Sequence, residues 1–76
     1  MKTRLLNRIE TNPNIMFGKP VIKGSRLTIE IILEKLGYGE TEDELLEEYP
    51  FLKKDDIKAA LLFAAKTLSL EEVMQA

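Results

Sequence analysis

The amino-acid sequence predicts a mostly α domain: a small N-terminal β ribbon, three main helices and a short C-terminal helix. Three observations carry this expectation. Apolar residues beyond Thr28 recur at helical spacing in successive blocks. Threonine, serine and glycine punctuate those blocks where helix ends need them. Before residue 25, Pro13, Gly18, Pro20 and Gly24 crowd around short apolar pieces, as turns do between paired strands.

Taken in order, residues 1–8 show no period and read as a basic arm. Asn12-Pro13-Asn14 is a turn signal, since proline presets one backbone angle and asparagine tolerates left-handed conformations. Gly18 and Lys19-Pro20 form a second turn. Residues near Ile9 are expected to pair with Pro20–Lys23, proline being tolerated at the head of a strand because it need not donate there. Thr28 is a helix N-cap, its hydroxyl placed to accept a free first-turn amide. Ile29, Ile32, Leu33 and Leu36 then fall at i, i+3, i+4 and i+7, and Gly37 reads as the left-handed stop. Thr41 and Glu44 form a capping box that opens a second helix over Leu45, Leu46 and Tyr49, ended by Pro50. A third helix starts near Lys54 and runs to about Thr67, and Ser69-Leu70-Glu71-Glu72 reads as a box opening the short last helix. The whole of 1–76 reads as one domain.

The third helix is apolar nearly all round. Ile57, Leu61, Ala64 and Leu68 form one stripe beside Ala60, while Leu62 and Phe63 project elsewhere and Ala59 and Ala65 add no polar cover. Such a helix needs burial on more than one side. Ala59, Leu62 and Phe63 are therefore expected at an interface with a second copy or another partner.

Composition narrows the function. The 76 residues include no cysteine and no histidine, which removes disulfides, thiolate metal sites and the commonest general base. No nucleophile, Ser25 included, has a histidine to activate it, and the acids at 40–48 lack the alternation of a calcium loop. The expectation is a protein that is not an enzyme and carries no metal or cofactor. No apolar run is long enough to span a membrane, and a cytoplasmic location follows as the default. The net charge of −2 is unevenly spread. Residues 1–26 carry six basic side chains against Glu10 alone; residues 27–50 carry Lys35 against eight acids. An anionic partner at the basic end is the natural reading.

Gly18-Lys19-Pro20-Val21-Ile22-Lys23-Gly24-Ser25 has the look of a phosphate loop, but five residues separate its glycines and no lysine follows Gly24. A structural turn is the better reading. The short link from the second helix to the third suggests a helix-turn-helix, whose second helix would offer Lys53, Lys54 and Lys58 to double-stranded DNA, with Lys23 and Arg26 neutralising the backbone. Asp55, Asp56 and the acidic preceding helix weigh against it.

Asn12-Pro13-Asn14-Ile15, the run Gly18 to Thr28, Glu47-Glu48-Tyr49-Pro50 and Asp56-Ile57-Lys58-Ala59-Ala60-Leu61 together resemble domain-of-unknown-function family four hundred and thirty-three, whose members are described as VapB-like antitoxins. The resemblance spans roughly residues 9–66. It implies a homeodomain-like, helix-turn-helix fold behind a small β element. It also implies a type II toxin–antitoxin setting, with a PIN-like ribonuclease toxin as partner and operator DNA as a possible second one. Where members of that family often have serine or threonine, this chain has Lys53, a poor cap, so the third helix is expected to start later or to be capped by Asp55. The alternatives are a stand-alone helix-turn-helix module and a small dimeric structural adaptor.

Overall fold

The computed structural model describes residues 2–75. In chain order the elements are α1 (Lys2–Leu6), β1 (Ile9–Glu10), β2 (Val21–Ile22), α2 (Ile29–Gly37), α3 (Glu42–Glu48) and α4 (Lys54–Gln75), with a 3₁₀ turn over Met16–Gly18 between the strands. The ribbon is antiparallel, with Ile9 opposite Ile22 and Glu10 opposite Val21. Residues 1–8, expected as an arm, instead hold α1, which packs against α4.

Helix ends follow the local chemistry with two corrections. The Thr28 hydroxyl accepts from the Ile31 amide at 3.1 Å, and both bonds of the Thr41–Glu44 capping box form. The left-handed stop of α2 is Gly39, at φ +103°, rather than Gly37, which ends the helix proper. Gly39 N–H reaches the Leu36 carbonyl and Glu40 N–H the Lys35 carbonyl, the paired bonds of a Schellman turn. Nor does a separate C-terminal helix exist, because α4 runs unbroken through Ser69. No glycine or proline interrupts it, and the Thr67 hydroxyl donates to the Phe63 carbonyl, satisfying itself within the helix.

The core joins Ile22 and Leu27 from the ribbon, Ile29 and Ile32 from α2, Leu45 from α3, Leu52 from the following turn, and Ile57 and Ala60 from α4. Ala59 is also fully buried, which removes it from any intermolecular surface. Phe63 leans on the core edge and Leu62 is half-buried. Among the described side chains of α4, the large apolar ones that are exposed are Leu61 and Leu68, two members of the apolar stripe. The buried side of the helix is Asp56, Ile57, Ala59 and Ala60, with half-buried Phe63 continuing it one turn on. Ile57 and Ala60 lie inside as their spacing suggests, and the acid Asp56 joins them there.

Ile57 has no exposed surface. Truncation to alanine should lower unfolding free energy by about 2–5 kcal/mol, read from the urea midpoint.

Candidate functional site

The acid at the head of that buried side organises a junction of three segments. Asp56 is 5 % exposed. One carboxylate oxygen accepts from the Lys53 backbone amide at 2.9 Å, and the other receives Arg8 Nη1 at 3.0 Å. Asp56 thus reaches back to the residue before α4, as the third helical residue does in half a capping box. Lys53 needs no side-chain cap of its own. The helix begins at Lys54, and Asp56 rather than Asp55 secures it. Asp55 sits 3.6 Å from Arg8 Nη2 on the exposed rim.

Arg8 is held in turn by α1 and by the segment beyond β2. Its amide donates to the Leu5 carbonyl, and its carbonyl accepts from Lys23 N–H at 2.8 Å. The turn beyond β2 is built on Gly24, whose φ of +80° favours a residue without Cβ. Its amide bonds the Glu10 carboxylate, while the Ser25 hydroxyl bridges the Ile22 carbonyl and the Leu27 amide. Lys23 and Arg26 project from this braced turn and are exposed.

Between the turn and the start of α4 lies an open groove of about 700 Å³, floored by Arg8, Ile22 and Asp56 and edged by Lys23, Arg26, Phe51 and Lys53. Three of the five expected DNA-contact residues, Lys23, Arg26 and Lys53, therefore meet at one place. Lys54 and Lys58 are exposed on α4 but do not line the groove. Lys23, Arg26 and Lys53 form no ion pair with any described residue within 4 Å. The floor carries Asp56, but Arg8 already neutralises it, so the accessible charge is positive. Sequence reasoning missed Arg8, Asp56 and Phe51 as groove residues.

At the α2–α3 corner the charges are spent internally. Lys35 Nζ contacts Glu48 at 3.2 Å and Glu40 at 3.9 Å, and lies 5.9 Å from the centre of the Tyr49 ring. The hydrogen bond to Glu48 holds the Lys35 ammonium above its ordinary pKa. Desolvation pushes the Glu40 carboxyl up, as does the neighbouring Glu48 carboxylate, while Lys35 pulls the other way. One Glu40 oxygen is enclosed without a hydrogen-bond partner.

With this geometry in place, comparison with known proteins supplies the family. The model described as "Protein of unknown function (DUF433)" matches residues 9–64. The chain belongs to the DUF433 family. Lys23, Arg26, Phe51, Lys53 and Asp56 lie within the matched span, and Arg8 directly precedes it. A crystal structure of a DUF433 member protein from Anabaena variabilis ATCC 29413 superposes with a TM-score of 0.79 at 24% identity, over 95% of this chain and 71% of that one. At that identity the likeness establishes the shared fold. Uncharacterized protein y4eO of Sinorhizobium fredii (strain NBRC 101917 / NGR234) is 27% identical over 56 residues, 74% of this chain. The chain spans a quarter of that relative's length.

Two outcomes follow. Asp56→Ala should cost about 1–3 kcal/mol in urea unfolding, because Arg8 and the Lys53 amide both lose their partner; Asp56→Asn, which keeps an acceptor for the amide, should recover part of it. Glu40 has a raised folded-state pKa, so its contribution to stability is full below the ordinary value of 4.5 and is lost as pH climbs above it. Glu40→Gln cannot ionise, and the stability of wild type relative to this variant should fall as pH rises through that window in pH-dependent thermal melts.

Proposed function

We propose that this protein is an antitoxin-type binding module whose working surface is the basic groove, and that the groove takes the phosphate backbone of a nucleic acid. The observation that carries this reading is the convergence of Lys23, Arg26 and Lys53, uncommitted to any described carboxylate, beside an internally neutralised Arg8–Asp56 pair. Three cations at one groove favour a repeating anion over a single carboxylate. In this reading the turn between α3 and α4 carries Lys53 to the groove, and Lys54 and Lys58 extend the positive field along α4 without entering it.

A second surface favours the toxin-binding half of the same reading. The outer face of α4 exposes Leu61, and beyond Phe63 the helix runs past the core and exposes Leu68. Pro20, Leu33, Phe63 and Leu68 line an apolar groove of about 340 Å³ between α2 and α4. A helix this far from its own core gains from an apolar partner. The partner proposed is a PIN-like ribonuclease. Co-expression with the product of the neighbouring gene should give a stable complex that Leu68→Glu disrupts; a second copy of this chain seated there instead would show as a dimer in sedimentation.

The groove is tested by salt. Fluorescence anisotropy of a labelled oligonucleotide should show affinity falling steeply as salt rises, and replacement of Lys23, Arg26 or Lys53 by alanine should each reduce the logarithmic salt slope by about 1. A flat response, or no binding of any oligonucleotide at low salt, would overturn the proposal.

A further inference from the structure

Phe51 is the feature of the groove that charge does not explain. It is 49 % exposed, although its neighbour Leu52 is buried in the core. The turn is fixed by the Leu52 amide on the Tyr49 carbonyl at 2.8 Å. The Phe51 ring meets the Tyr49 ring edge-on, with centroids 6.1 Å apart and planes at 63°. Tyr49 is itself steadied by the Lys35 ammonium. An oriented aromatic ring therefore stands, half in solvent, on the edge of a groove that also carries Lys23, Arg26 and Lys53.

We infer that the groove binds an unpaired nucleic-acid strand, with one base stacked on Phe51 and the flanking phosphates on Lys23, Arg26 and Lys53. The inference rests on the nucleic-acid reading above and adds the strand state. Aromatic rings set among cations bind single strands because any unpaired base offers a flat face, whereas a duplex keeps those faces stacked inside. The acidic neighbour acts in the same direction. Glu42, Asp43, Glu44, Glu47 and Glu48 of α3 are exposed, and the last two directly precede the Phe51 turn. A duplex carries about twice the phosphate charge of a single strand per unit length, so the exposed acids of the element that leads into the turn disfavour it more. A single strand meets less of that repulsion. RNA and DNA share the base and phosphate chemistry used here, so either strand fits.

The test is anisotropy on the full chain with labelled oligothymidylate, oligouridylate, a base-paired duplex of equal length and an abasic deoxyribose-phosphate strand. Both base-bearing single strands should bind at least tenfold tighter than the duplex; a marked excess for one would identify that source of the strand. Phe51→Leu keeps apolar bulk at a half-exposed site and removes the ring. It should weaken the base-bearing strands roughly tenfold and leave the abasic strand unchanged. Duplex binding equal to or tighter than single-strand binding, or an unchanged oligothymidylate affinity in Phe51→Leu, would overturn the inference while leaving the basic groove in place. Loss of binding to every oligonucleotide would instead remove the nucleic-acid reading itself.

Discussion

Asp56 is an acid buried at the start of the longest helix, and its two oxygens tie together parts of the chain that are remote in sequence. One fixes the backbone at Lys53 and so sets where α4 begins. The other fixes Arg8, and through the Arg8 carbonyl it fixes the turn that carries Lys23. Burying an isolated carboxylate would be costly; here a guanidinium and an amide both answer it, which makes the burial sustainable. The same residue turns the Ala59–Ala60 side of α4 inward. Small side chains there let α1 and the ribbon approach the helix closely, while Leu61 and Leu68 are left outside.

That geometry separates charge. Lys35 of α2 occupies two of the acids, Glu40 in the loop before α3 and Glu48 at the end of α3, one on each side of its ammonium. At the other end Arg8 is consumed by Asp55 and Asp56, whereas Lys23, Arg26 and Lys53 pair with no described carboxylate. A molecule with net charge −2 thereby presents a positive groove, and net charge alone gives no hint of it. The backbones that carry these cations are already fixed by a braced turn and a secured helix start, so under the proposed binding mode ordering would fall on their side chains alone.

Local signals were legible along the chain; remote ones were not. The Thr28 cap, the Thr41 capping box and the pairing of Ile9 with the β2 segment depend on neighbours within a few residues or on short turns. The choice between Gly37 and Gly39 failed by two residues because both can end a helix, and only the bonds to Leu36 and Lys35 distinguish them. The inward face of α4 was legible only in part: helical spacing picks out Ile57 and Ala60, whereas Asp56 beside them is an aspartate, a residue that composition assigns to solvent. Its reason for being inside is Arg8, 48 positions away. Lys23, Arg26 and Lys53 could be listed from charge, whereas their convergence, and the exclusion of Lys54 and Lys58 from it, is a product of the tertiary fold. Phe51 carried no signal at all: beside Pro50 and Leu52 it reads as one more apolar turn residue.

The central claim is that the groove, and not the outer face of α4, receives the nucleic acid. Backbone amide chemical shifts followed by NMR during titration with an unlabelled oligothymidylate test it most directly. The account predicts perturbations concentrated at Arg8, Lys23 to Arg26 and Phe51 to Lys53, with Leu61 and the Lys35–Glu48 corner unmoved. Perturbations running instead along Lys54, Lys58 and Leu61, with the Lys23–Arg26 turn silent, would contradict it.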